Sequence, residues 1–144
     1  MKSNQTLVVF DFDQTLIKQD SYHEIISLVK DIPFIEELRK AGVSWNQFNQ
    51  KLFSKLEEEG TTYLHIKEKM NKLDLNEHIK QLLLYLGEMK DKYYVIIVSG
   101  SLDVVIDWVL EYNGLRSIVK KIISNRAVIE SDFVKFIQNE TPSR

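Results

Sequence analysis

The sequence predicts an α/β fold: part of a doubly wound parallel sheet, with an all-helical block inserted after the first strand. Two apolar runs, residues 6–10 and 93–98, read as buried parallel strands. Between them, residues 18 to 90 carry only helical periodicity. The first run ends at Asp11-Phe12-Asp13 and the second at Ser99-Gly100-Ser101. Ligands of open α/β sheets bind just beyond such strand ends.

The first strand, Thr6 to Phe10, is rich in Val with Leu and Phe, and is expected to be buried. After the acids, Asp20 or Ser21 caps a helix through Lys30, with Tyr22, Ile25, Ile26 and Val29 on one face. Asp31-Ile32-Pro33 breaks it, and Pro33 suits the first turn of the next helix. Gly42 ends that second helix. Ser44 caps a third, with Trp45, Phe48, Leu52, Phe53 and Leu56 at helical spacing, and Gly60 follows it. Thr61 or Thr62 starts a fourth. A fifth is expected over residues 73–89, with Leu75, Ile79, Leu82, Leu83 and Leu86 in a stripe.

The second strand is expected to end at Val98, with a helix starting directly after Ser101 and stopping at Asn113-Gly114. A strand, a small polar turn and a helix N-terminus form an anion-receiving arrangement; a plain serine N-cap is the simpler alternative. Residues 118–124 read as a third strand. Beyond Ser124 the pattern weakens and the least order is expected; residues 127–129 and 133–137 read as short strands or a helix, and 141–144 as a frayed end.

Composition narrows the function. The chain has 144 residues, 44% hydrophobic and 28% charged, as one soluble globular unit does. Its formal net charge of −2 argues against a nucleic-acid surface, which needs a basic patch. There is no cysteine, so neither disulfides nor thiolate chemistry enter. No apolar run reaches the ~20 residues of a membrane span. The start lacks a signal peptide's apolar region, so a cytoplasmic location is expected. His23, His65 and His78 lack the spacing of a metal site, and most of the aromatic residues read as core.

Asp11 and Asp13 stand where an apolar strand ends. An acidic turn is the bland reading, since Asp suits turns. Acids so close to an apolar strand are costly unless paired, hydrogen-bonded or metal-bound, which favours a functional reading.

The stretch Asp11-Phe12-Asp13-Gln14-Thr15 resembles the first motif of the haloacid dehalogenase superfamily of phosphatases. With Asp20-Ser21, Ser99-Gly100-Ser101 and the runs at residues 106–111 and 123–125, the chain looks like the branch of phosphoethanolamine/phosphocholine and pyridoxal phosphate phosphatases. The resemblance implies a Rossmann-like core over residues 1–17 and 91–144, and a helical cap over 18–90. It makes Asp11 the nucleophile that attacks phosphorus and Asp13 the acid and base. Mg²⁺ would take the Asp11 carboxylate and the Asp13 backbone carbonyl. Thr15, Ser99 and backbone amides near Phe12, Asp13 and Gly100 would hold phosphate. The substrate would be a small phosphorylated metabolite, with no partner protein identifiable.

Two departures from the family pattern stand out. The resemblance places acids for a substrate ammonium at Tyr22 and Gly100, and both are uncharged here. No Gly-Asp-Gly-x-x-Asp fourth motif follows: Asp132 lacks that neighbourhood, and Lys120, Lys121 and Lys135 come too early for the third-motif lysine. The chain is therefore expected to be truncated before the third and fourth motifs. A catalytically deficient remnant that binds phosphate or a protein partner is the alternative to an active phosphatase.

Overall fold

Strands β1 (Thr6–Phe10) and β2 (Tyr93–Leu102) run parallel, Thr6 beside Tyr93 and Phe10 beside Ile97. A computed structural model describes residues 1–138, so the expectation for residues 141–144 lies outside the described residues. Five helices separate the two strands: α1 (Ser21–Ile26), α2 (Ile32–Lys40), α3 (Trp45–Glu58), α4 (Tyr63–Asn71) and α5 (Glu77–Glu88). After β2 come α6 (Asp103–Tyr112), β3 (Lys121–Glu130) and β4 (Phe133–Ile137). The sheet order is β1-β2-β3-β4. The first three strands are parallel and β4 is antiparallel, so the sheet is mixed rather than wholly parallel.

Local chemistry fixes most helix starts. The Asp20 carboxylate accepts from the His23 amide at 3.0 Å and caps α1. Asp31 caps α2, with Pro33 in the first turn. Ser44 and Gln47 form a reciprocal capping box on α3, a device contributing about 1 kcal/mol. Gly42 and Gly60 take left-handed φ values of 62° and 75°, which side chains resist. One continuous apolar core runs from Phe10 and Phe12 through Leu52, Leu56 and Leu83 to Ile106, joining the helical block to the sheet.

Four expected extents change. Helix α1 stops at Ile26, and the chain tightens into a three-residue turn in which Val29 N–H donates to Ile26 C=O. Helix α5 begins at Glu77 because Leu75 pairs with Ile17 in an antiparallel bridge and Asn76 becomes the cap. Strand β2 runs past Val98 to Leu102 through an irregular register, so no serine caps the following helix; Leu102 stands there without a side-chain bond. Strand β3 starts at Lys121 and extends to Glu130, then folds back onto β4 through Ser131 and Asp132 at φ 50° and 69°. Two consecutive positive φ values match the twist of a tight hairpin. This hairpin is packed: Ala127 and Val134 are buried, and Lys135 pairs with Glu57 of α3.

Burial of β1 also differs from expectation. Val8 and Phe10 face the core, but Leu7 and Val9 are 47% and 53% exposed. On the same sheet face Val98 and Ile123, paired in register, are 42% and 46% exposed. Ile96, beside Val9 on that face, is nevertheless buried, and among the described residues β1 has a neighbour on one side only.

Candidate active site

Directly after β1 the chain wraps around one carbonyl. The Phe12 C=O accepts from the amides of Thr15, Leu16 and Ile17 at 3.3, 3.0 and 3.3 Å. The side chains of Phe12, Leu16 and Ile17 are fully buried and pin this loop to the core. Gln14 sits at the tight bend with φ 57°, its amide donating to Gln19 C=O at 3.0 Å. The result is a short rigid loop with Asp11 at its start and Asp13 at its turn.

The two acids meet different surroundings. Asp11 is exposed, and its Oδ1 accepts from the Phe12 amide at 2.6 Å. Asp13 is half-buried, and its Oδ1 accepts from the Ser21 amide at 2.8 Å. Burial pushes the Asp13 carboxyl above its ordinary value; hydrogen bonding from Ser21 opposes this, while the charges of Asp20 and Asp11 add to it. Asp13 is thus an acid that keeps its proton longer than an ordinary carboxyl.

Ser99 lies at the end of β2, half-buried, its Oγ accepting from the Ser101 amide at 3.0 Å. Gly100 is exposed, and its carbonyl accepts from Asn125 Nδ2 at 2.7 Å. A Cβ built on Gly100 meets nothing within 4 Å, so the position has room for a side chain. Of the residues expected to hold phosphate, Phe12 has a buried ring and an amide that already donates to Asp11. Thr15 is half-buried within the loop.

Asp13, Tyr22 and Gly100 come together in the lining of a cleft of about 730 Å³. Its far wall is aromatic. Tyr22 meets Trp45 edge-on at 4.8 Å, and Trp45 stacks on Phe48 at 5.6 Å with ring planes 5° apart. Trp45 remains 47% exposed, although helical spacing alone places it with the core residues of α3. Its position at the first turn, next to the cap, was the available signal, because an end turn has fewer neighbours. Arg39 also lines the cleft. Burial pushes the Tyr22 hydroxyl well above its ordinary pKa, the Asp13 charge adding to the effect and Asn49 and Asn125 opposing it.

This geometry can be set beside known proteins. The sequence model of a family described as "Putative Phosphatase" matches residues 6–137, a span holding every residue of the site. The chain belongs to this family. The curated relatives described next are named as phosphatases. The chain is 30% identical over 137 residues to a probable phosphatase phospho2 of Xenopus tropicalis, covering 94% of this chain and 58% of that one. It is 32% identical over 129 residues to the pyridoxal phosphate phosphatase PHOSPHO2 of Bos taurus, covering 88% and 53%. The chain thus spans about half the length of the curated relatives it matches. Among solved structures, a phospho-aspartyl intermediate analogue of phosphoserine phosphatase superposes with TM-score 0.63 at 19% identity, over 93% of this chain and 64% of that one. That likeness carries the fold: a Rossmann-like sheet with helices between its first two strands.

Proposed function

We propose that this protein hydrolyses a small phosphomonoester through a phosphorylated Asp11. One observation carries the reading: two carboxylates two residues apart stand in opposite environments, Asp11 exposed and Asp13 half-buried with its pKa raised. Paired acids whose environments separate their pKa values are how one site supplies both a charged and a protonated group.

In the first step an Asp11 oxygen bonds to phosphorus as the bond to the leaving oxygen breaks, and Asp13 gives that oxygen its proton. In the second, water attacks phosphorus, Asp13 takes the proton, and phosphate departs with the Asp11 carboxylate restored. Ser99, Thr15 and the Gly100 backbone are assigned to the phosphate oxygens. The Asp11 carboxylate and the Asp13 carbonyl are hard oxygen donors, and among the described residues no group of three or more His, Cys, Asp or Glu is gathered as a metal cage. Two such donors suit Mg²⁺, which keeps waters and completes its shell with substrate phosphate. When bound, the ion supplies positive charge to the phosphoryl oxygens.

Helices α1–α5 are read as a cap, residues 18–90, over a core of residues 1–17 and 91–144. The cap's aromatic wall supports a leaving group with a flat apolar face rather than a cationic amine. The other cleft acids are engaged: Asp20 caps α1, and Glu24 lies 3.7 Å from Lys69. Pyridoxal phosphate, the substrate in the bovine relative's name, is an ester of the favoured kind. Among the described residues no helix is long and apolar enough to cross a membrane; a cytoplasmic enzyme is the setting proposed.

The test is release of 4-nitrophenol from its phosphate with added Mg²⁺, in the parent chain and in Asp11→Asn. Turnover in the parent and none in the variant is expected. Turnover that survives the substitution would exclude Asp11 as nucleophile. A parent chain that binds phosphate without turnover would fit the remnant reading instead.

A further inference from the structure

The buried polar side chains of the described residues are Ser21, Asn49, Thr61 and Ser101, and two of these bond to each other. Ser21 Oγ and Ser101 Oγ lie 2.6 Å apart, both with no exposed surface. Ser21 is the first residue of α1; Ser101 is in the irregular last stretch of β2. Each serine also holds a site residue with its main chain. The Ser21 amide donates to Asp13 Oδ1 at 2.8 Å, and the Ser101 amide donates to Ser99 Oγ at 3.0 Å. Three hydrogen bonds and two residues therefore connect the Asp13 carboxylate to the Ser99 hydroxyl.

The sheet itself does not make this connection. The β1–β2 register ends at Phe10 beside Ile97, before either site segment begins. Beyond it, β2 loses regular register with β3 between Val98 and Leu102. We propose that the Ser21–Ser101 pair is a positioning couple that sets the placement of Asp13 relative to Ser99. The inference rests on the roles given above to those two residues. Ser101 touches no reacting atom and acts through Ser21 and Ser99; Ser21 bonds the Asp13 carboxyl through its amide, and its hydroxyl also lowers that carboxyl's pKa by hydrogen bonding.

A purely structural pair would behave differently. Buried hydroxyls need partners, so removing one leaves the other unsatisfied. Removing both, by contrast, leaves no orphan and is close to neutral for stability. Misplacement of reacting groups by about 1 Å costs on the order of 100-fold in rate. The double variant Ser21→Ala/Ser101→Ala thus separates the two roles.

The experiment measures melting, kcat and KM on 4-nitrophenyl phosphate for both single variants and the double. It also records the through-hydrogen-bond NMR coupling between the Ser21 amide nitrogen and the Asp13 carboxyl carbon. The double variant is expected to melt near the parent temperature, yet to lose kcat by about tenfold or more with KM changed less than about threefold. It should be no slower than the worse single variant, because the pair acts as a unit. The coupling should be present in the parent and lost in Ser101→Ala, a substitution at a residue that does not contact Asp13. A folded double variant with kcat within about twofold of the parent would overturn the inference. So would a coupling that persists unchanged in Ser101→Ala. Should the parent show no turnover at all, the phosphatase reading fails by itself, and the coupling measurement still decides the positioning role.

Discussion

Gly100→Asp gives a sharp test of how the cleft selects its substrate. The position is exposed and an added Cβ meets nothing within 4 Å, so the substitution fits without repacking. It restores an acid where the family resemblance places one for a substrate ammonium. The magnitude follows from its surroundings. A unit charge pair at about 4 Å is worth ~4 kcal/mol at an effective dielectric of 20, but an exposed pair yields only about 0.2–1 kcal/mol once solvent and side-chain entropy are counted. The expected gain is therefore up to about fivefold in kcat/KM for phosphoethanolamine relative to an uncharged alkyl phosphate of similar size. Most of that gain should vanish at ~1 M salt, where the screening length is about 3 Å. Tyr22→Asp is the contrasting change. It puts a carboxyl at a buried position near half-buried Asp13 and removes the edge contact to Trp45, so it should destabilise the fold without a comparable gain. The assay is a pair of kcat/KM values at low and high salt. An unchanged preference in well-folded Gly100→Asp would refute the placement of Gly100 at the substrate's leaving group.

Other outcomes follow from the same structure. Asp13→Asn should lose ~10²–10⁴-fold in kcat/KM on alkyl phosphates but less on 4-nitrophenyl phosphate, whose leaving oxygen needs no proton; equal losses on both would remove Asp13 as the general acid. Phe12→Ala empties a fully buried site under the catalytic loop and should cost about 3–5 kcal/mol in chemical denaturation. Lys55 lies 3.1 Å from Asp31 and holds that carboxyl below its usual range. A depressed carboxyl adds stability above its unfolded pKa and loses it as pH falls through the folded value. Lys55→Met should therefore lower the melting temperature at neutral pH, and the difference from the parent should shrink below the ordinary carboxylate range.

Features written in local chemistry were legible in the sequence. The apolar strand ending in Asp11 and Asp13, the caps at Asp20 and Ser44, the break at Asp31-Ile32-Pro33 and the turn glycines 42 and 60 each act within a few residues. What escaped depends on distant partners. Leu75 looks helical by spacing, but Ile17 draws it into a bridge. Strand β2 overruns its apolar stretch because β3 lies alongside as far as Leu102 opposite Asn125. The β3–β4 hairpin turns at Ser131-Asp132, without the glycine that usually marks such a turn. Within the site, the acids could be placed from sequence and the serine bridge could not: Ser21 and Ser101 are small polar residues in segments that look solvated until the fold brings them together.

Strand β1 has a neighbour on one side only among the described residues, and Asp11 is the next residue after its end. A bare strand edge offers a row of main-chain donors and acceptors to any extended segment that comes alongside. Here Leu7 and Val9 add an apolar surface to that row. Any such guest would lie directly beside the root of the catalytic loop and would stiffen or tilt it. Rate per molecule should then depend on protein concentration, and additives that keep chains apart should alter turnover without entering the cleft.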